Sequence, residues 1–400
     1  MITQHDLTAI TELVSQVFQI EAITYGEPKQ PYLVRYQGFM KSTDITDSFD
    51  SLLSKLDPQD LIPLLRREDN HINLYIMPKL TPKKRLNPRL NLVLFILTLI
   101  SVLITGGLYS IQTELPENFW QLLVQLVKNG WPFALSLLAI LSAHEFGHYF
   151  AGRKNKVQVT LPYFVPFPLS FFGTMGAFIN MRSIPKNRRA LFDLAVTGPL
   201  SGLVVTIVVL MIGLNLSELN QLPLSAPSLG GLQMEGNSLL YLFLKYLSFG
   251  RLLPEPGGLN GLSLLVYWVR YFFTGQPFPW GAMDVMLHPV AWAGWAGMLV
   301  TGINLIPAGQ LDGGHIFYTL FGKKIADRVF PFIVGALGLM GFFWNGWWMW
   351  ALLVFILGRR HAEPLDQITE LDPKRKWLGY LALFVFILTF IPVPITIVGG

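Results

Sequence analysis

The stretch WPFALSLLAILSAHEFGHY, residues 131–149, is the place from which the rest of the chain is read. Through Ala143 it carries no ionisable side chain; then His144, Glu145 and His148 arrive inside the same apolar run. Such a run approaches the roughly 20 apolar residues with which a helix crosses a hydrocarbon core. Each ionisable group placed inside such a span costs about 2.5–3.5 kcal/mol on insertion scales, so three in close succession read as functional rather than structural.

Composition points to the same solvent. Of 400 residues, 52% are hydrophobic and 14% charged, against about 25% charged in an ordinary soluble domain. So few charges do not cover a water-exposed surface, and a lipid bilayer is the expected surrounding. The formal net charge of +5 falls in short clusters beside the apolar runs. It therefore reads as topology information, and no nucleic-acid partner is expected. Cysteine is absent, which excludes disulfides, thiolate metal sites and thiol nucleophiles and leaves the redox compartment open. Any metal here must use His and carboxylate. The opening residues, MITQHDLTAI, have neither the order of a signal peptide nor the bias of a transit peptide, so insertion is expected to rely on an internal span.

The chain is expected to divide near residue 90. Residues 1–80 read as a small soluble α+β domain: 7–18 repeats apolar residues at helical spacing, 31–40 alternates like a strand, 45–56 is helical again and 72–77 is a short strand. It shows no nucleophile, phosphate loop or ligand cluster and reads as a docking or regulatory module whose partner is unknown. Residues 81–89 form a basic linker, with Lys83, Lys84, Arg85 and Arg89 just before the apolar run 90–108. Basic flanks stay on the cytoplasmic side, which places the first domain there.

Further spans are expected at 131–149, 191–212, 289–307 and 377–398, and 329–357 is long enough for a hairpin of two short ones. Arg153, Lys154 and Lys156 after the second span, Arg182, Lys186, Arg188 and Arg189 before the third, and Arg359 and Arg360 after the hairpin mark cytoplasmic ends. Between them, 215–288 holds apolar pieces at 239–247 and 262–273 that are too short to cross and read as re-entrant or interfacial. The fold class is thus a multi-span α-helical membrane protein, with six or seven transmembrane helices and a small soluble α+β N-terminal domain. Residues 90–360 form its core, and 361–400 a cytoplasmic loop and a last transmembrane helix.

The chemistry sits in those spans. His144-Glu-Phe-Gly-His148 fits H-E-x-x-H on a predicted helix. Four residues of helix turn about 400°, so the two imidazoles leave one face with Cβ atoms about 5–6 Å apart, a separation that one zinc ion bridges. Glu145 lies beside such a metal, placed to take a proton from a bound water whose pKa the cation lowers to about 7. A catalytic zinc keeps three protein ligands and one open position. The best third ligand is Asp312, in NLIPAGQLDGG, residues 304–314, where an apolar helix is broken by Pro and Gly and carries an acid at the break. Irregular backbone at membrane depth is tolerated where it lines protein or a wet cavity. His144, His148 and Asp312 all fall near predicted cytoplasmic helix ends, so they share one depth.

H-E-F-G-H on one span and N-x-x-P-x-x-x-L-D-G on a later one resemble the site-2 protease family of intramembrane metalloproteases, over about 90–360. Gly173-Thr-Met-Gly176-Ala177 and Gly198-Pro-Leu-Ser-Gly202 match as supporting pieces. The resemblance implies one zinc per chain held by His144, His148 and Asp312, Glu145 as general base, and Asn304 as an oxyanion or substrate-positioning donor. It also implies a transmembrane protein as substrate and a role in regulated intramembrane proteolysis. Many members carry a PDZ module between the later spans, whereas 215–288 is too apolar and too rich in Pro and Gly to be one. The soluble first domain and extra C-terminal spans are similar to the cyanobacterial and chloroplast branch. The plasma or thylakoid membrane of a bacterium or cyanobacterium is accordingly the expected location.

Residues 158–181, rich in Pro, Phe and Gly, are too broken for a span and too apolar for solvent, and are expected to fold back as a strand or loop. Its edge, around Gly173, Gly176 and Ala177, is expected to pair with an unwound stretch of a substrate helix. By that hypothesis Gly176→Pro abolishes cleavage and leaves zinc in place. His315 reads as a cavity-lining or interfacial residue rather than a support for the metal ligands, and Trp344, Trp347, Trp348 and Trp350 as an interfacial aromatic belt. A transporter or ion channel would also hold ionisable residues and broken helices at depth, but it leaves unexplained why Glu falls between two His at i and i+4.

Overall fold

A computed structural model describes residues 4–27, 30–42, 44–68, 71–79, 88–110, 118–225, 232–358 and 363–398. Most of the basic linker 81–89, with Lys83, Lys84 and Arg85, lies outside the described residues, as do Arg359, Arg360 and His361.

The N-terminal region runs α1 (Gln4–Val17), β1 (Phe18–Tyr25), β2 (Val34–Met40), α2 (Ile45–Leu56), β3 (Leu61–Glu68) and β4 (His71–Pro78). The strands form an antiparallel sheet in the order β1-β2-β4-β3. Strand alternation turns Val34 and Tyr36 of β2 inward, with Leu65 of β3 and Leu74 and Ile76 of β4, onto Ile10 and Val14 of α1 and Phe49, Leu52 and Leu56 of α2. The Asp44 side chain caps α2 by accepting from Asp47 N at 3.1 Å. The expected α+β character holds, and the sheet is larger than expected. Phe18, assigned to the first helix from its spacing, opens β1, and β3 was hidden by Pro63, which an edge strand accommodates.

Three long helices follow: α3 (Pro88–Ser110), α4 (Phe119–Lys154) and α5 (Arg188–Asn215). Among the described residues these are the helices long and apolar enough to cross a membrane. On α3, Leu92, Val93, Ile96, Leu97, Ile100 and Ile104 face outward. A contiguous apolar face of that kind suits lipid and not water. Between α4 and α5 a hairpin of β5 (Tyr163–Pro166) and β6 (Thr174–Phe178) forms where the Pro- and Gly-broken stretch predicted a strand or loop.

The region 215–288 holds β7 (Glu218–Gln221), β8 (Leu232–Glu235), α6 (Leu239–Phe249), α7 (Gly261–Thr274) and β9 (Met283–Met286), β7 pairing with β9. Next comes α8 (Pro289–Asn304), 16 residues long, or about 24 Å. Its Ala and Gly positions let neighbours close in, and Ala291, Trp295, Ala296 and Met298 are buried in the main core with α4 and α5. The chain ends with α9 (Asp312–Phe321), α10 (Lys323–Met340), α11 (Gly346–Leu357), α12 (Pro373–Thr389) and β10 (Ile395–Val398). Two helices, α10 and α11, stand where the hairpin of two short spans is expected. The last expected span is shorter than 377–398: beyond Thr389 come Pro392 and Pro394, which lack the N–H a helix needs, and β10 pairs antiparallel with β8.

Residues 363–371 are tied down on both sides. Leu365 N donates to Pro185 O at 2.9 Å and Asp366 N to Lys186 O at 2.8 Å, just ahead of α5, while Leu65 N of β3 donates to Leu365 O at 2.9 Å. Leu365 and Ile368 join the core of the N-terminal sheet. The loop thereby rivets that region to the helical core.

Candidate metal centre

Three elements deliver the site. On α4, i and i+4 spacing puts His144 and His148 on one face, and their Nε2 atoms lie 3.1 Å apart. Asp312 is the first residue of α9, and its Oδ2 lies 3.3 Å from Nε2 of each histidine. His144, Glu145 and His148 are buried and Asp312 is partly so. His148 Nδ1 is 2.7 Å from Leu194 O of α5; a proton on Nδ1 donated to that carbonyl leaves the Nε2 lone pair pointing at the other two groups.

These separations test the fit of a metal ion. Bonds of about 2.0–2.2 Å in tetrahedral geometry set neighbouring ligand atoms about 3.3 Å apart. The three atoms here stand 3.1, 3.3 and 3.3 Å apart, and they form a His2Asp ligand group among the described residues. Two imidazole nitrogens and a carboxylate oxygen converging in a buried place is the donor set that suits zinc. A further sign is Glu145, whose Oε2 is buried with no hydrogen-bond partner. A buried carboxylate oxygen of that kind is costly unless something outside the protein pairs with it.

Asn304, the last residue of α8, brings Nδ2 to 3.4 Å from His144 Nε2. The break between α8 and α9 is held by close packing: a Cβ on Gly313 would lie 2.0 Å from Leu305 O, so the chain after α8 folds directly onto the start of α9 beneath Asp312. His315, on the same helix, is buried and stands outside the ligand group.

The hairpin residues separate. Gly173 is buried, with a φ of 72°, and a Cβ there would strike Thr105 Oγ1 and the α3 backbone at 2.7–2.8 Å; its carbonyl accepts from Ser101 Oγ at 2.5 Å. Its place is the junction with α3. Gly176 and Ala177 are half-buried on β6, whose one strand partner among the described residues is β5. Gly176 has a φ of 99°, whereas proline fixes φ near −65°. Gly176→Pro would therefore disrupt the hairpin itself and does not isolate a role for its edge.

The model of peptidase family M50 matches residues 132–342, just over half of the chain. The protein of Arabidopsis thaliana named probable zinc metalloprotease EGY2, chloroplastic, is 29% identical over 97% of this chain and 65% of its own length. Its namesake in Oryza sativa subsp. indica is 28% identical over 96% of the chain and 66% of its own length. The protein of Oryza sativa subsp. japonica named probable zinc metalloprotease EGY1, chloroplastic, is 30% identical over 76% of the chain and half of its own length. The chain thus spans less than two thirds of the length of these relatives. No solved structure matches it. The likeness to the cyanobacterial and chloroplast branch, read from the first domain and the extra C-terminal spans, agrees with the chloroplastic names of these relatives.

Proposed function

The chain belongs to peptidase family M50, the site-2 protease family its motifs resemble, and from that premise we propose that it is a zinc-dependent endopeptidase cleaving the transmembrane segments of membrane-protein substrates. One observation carries this reading: Nε2 of His144, Nε2 of His148 and Oδ2 of Asp312 converge beside the unpartnered Oε2 of Glu145. His144, His148 and Asp312 would hold one zinc ion. When bound, zinc supplies a water acidified to a pKa of about 7 and polarises the carbonyl under attack.

The rest is done by this chain's own groups. Glu145 takes the proton of the attacking water and returns it to the leaving amine, so its carboxyl must start ionised. Asn304 donates through Nδ2 to the carbonyl oxygen as it gains charge. The free edge of β6 at Gly176 and Ala177 holds an extended stretch of substrate, since a peptide bond in a helix is shielded; Gly173 sets the turn that presents this edge. The bilayer supplies the setting: α3, α4 and α5 cross it, and α8, the α10–α11 hairpin and α12 complete a bundle of six or seven spans. The N-terminal domain lies on the cytoplasmic side and binds a partner of its own.

The experiment is to reconstitute the chain and Glu145→Gln in liposomes with a single-span substrate, and to measure fragments and zinc per chain. Zinc near one per chain in both, with cleavage in the parent alone, is the expected result. Cleavage by Glu145→Gln at the parental rate, or a parent devoid of zinc, overturns the reading. A transporter would keep its flux in that variant.

A further inference from the structure

A second cluster of buried charge lies away from the metal centre. Strands β8 and β9, the C-terminal end of α3, Phe133 of α4 and the N-terminal end of α8 line a half-open cavity of about 410 Å³, within the roughly 300–1,000 Å³ typical of pockets that bury small ligands. Glu235 and Asp284 line it together with Tyr109, Phe133 and Trp292. Phe133 and His144 share α4, and their positions put the cavity about 17 Å from His144 along the helix axis.

Lys245 of α6 belongs to the cluster and is fully buried. Its Nζ is 4.0 Å from Glu235 Oε1 and 4.5 Å from the centre of the Tyr241 ring, with no hydrogen-bond partner. Glu235 Oε1 accepts from Tyr241 OH at 2.9 Å and Asp284 Oδ1 from Val285 N at 2.8 Å. Burial raises the pKa of both carboxyls and the Lys245 ammonium opposes that shift, so a second cation brought between Glu235 and Asp284 would favour the ionised form of both.

The surroundings say what kind of cation completes the cluster. Among the described residues, the side chains grouped for a metal are those of the His144 site, and neither Glu235 nor Asp284 belongs to such a group. The walls are aromatic: Trp292 stacks on Trp295 at 4.8 Å between ring centres and meets Tyr109 edge-on at 6.0 Å. Rings of this sort suit a cation that brings an apolar stem with it. Trp292 Nε1 is buried without an acceptor, and a ligand that offers a carbonyl-like oxygen would satisfy it. A basic residue within a peptide has all three parts: the charged head, the stem and the main-chain carbonyl.

We propose that this cavity is a second peptide-recognition site, which takes a lysine or arginine side chain of a bound membrane protein between Glu235 and Asp284. The proposal rests on the proteolytic reading for the nature of the occupant, though binding here requires no cleavage. The test uses the full chain carrying Glu145→Gln in lipid nanodiscs, titrated with a fluorescent apolar peptide bearing one lysine and with the same peptide bearing norleucine. The lysine peptide should bind about tenfold more tightly, the worth of one charge-assisted hydrogen bond. Asp284→Asn and Glu235→Gln, each with unchanged zinc content and melting midpoint, should abolish that preference.

Equal affinity for the two peptides overturns the site, and so does a preference that survives both variants. If either variant fails to fold, the comparison of the two peptides on the parent decides. A lysine preference here, together with no cleavage by the chain that keeps Glu145 in the liposome experiment, upholds the site and sinks the proteolytic reading. Cleavage by the chain that keeps Glu145, without the preference, does the reverse.

Discussion

A Cβ on Gly198 would lie 2.1 Å from Nε2 of His148, and one turn further along α5 a Cβ on Gly202 would lie 3.1 Å from Cβ of His144. The two glycines share the i, i+4 spacing of the two histidines, so each imidazole of α4 occupies the room that a missing side chain on α5 provides. Small residues at that spacing let membrane helices approach closely; here the space is filled by the two imidazoles. Gly198→Ala must push the His148 ring off its position and is expected to weaken zinc binding by about 100-fold or more. Gly202→Ala meets a milder contact and should cost within about tenfold. Zinc titration of both variants checks the order; equal effects would mean that the glycines serve helix packing alone.

Asp312 supplies the negative charge among the three converging donor atoms. Asp312→Ala should lower zinc affinity by more than about 100-fold and end cleavage, and Asp312→Asn, which keeps an oxygen but loses the charge, should fall between. Chelation offers an independent readout, since a ligand bound to the folded chain raises its melting midpoint by mass action. A chelator should lower the midpoint of the parent and leave that of Asp312→Ala in place. Zinc near one per chain in purified Asp312→Ala would remove Asp312 from the ligand set.

How much of this could be read from the residues alone depended on whether a signal was local. H-E-x-x-H needs one helix and nothing else, and Asp312 stood out because an acid at a Pro- and Gly-broken helix end has few other reasons to be there. The roles of Gly198 and of Leu194 O, which holds His148 by its Nδ1, depend on how α4 packs against α5, and a backbone carbonyl leaves no mark in a sequence. Glu235, Lys245 and Asp284 come from three separate elements, β8, α6 and β9, and no local pattern in the sequence brings them together. The helix expected over 377–398 was overdrawn because hydropathy does not distinguish a helix from β10, and Pro392 and Pro394 were the clue.

The clasp at 363–371 gives the N-terminal domain a separable attachment. Asp366 is fully buried, and its Oδ1 accepts from Ile368 N at 2.7 Å and Thr369 N at 3.1 Å, with Oδ2 bonded to the Thr369 hydroxyl. Asp366→Ala strands two buried N–H groups, at about 1–3 kcal/mol in all. The variant should expose the N-terminal domain to trypsin earlier than the parent while zinc content stays the same. Unchanged digestion would show that the domain is held elsewhere.

Acid should loosen the same attachment. Burial pushes the Glu363 carboxyl up, but the Lys323 ammonium at 2.6 Å and the Arg66 guanidinium at 3.5 Å outweigh it and hold its pKa below the ordinary carboxylate value. A carboxyl depressed by folding stabilises fully above its unfolded pKa, about 4.3 for Glu. That contribution is lost as pH falls through the lower, folded value. Arg66 belongs to β3 and Lys323 to α10, so protonating Glu363 releases a link between domain and core. Amide exchange in β3 should therefore rise relative to α5 as pH drops from 6 towards 3.5, after correction for intrinsic rates. Glu363→Gln should show the faster exchange already at pH 6 and lose most of the pH dependence. A parent and variant with the same profile would assign the acid response to another group.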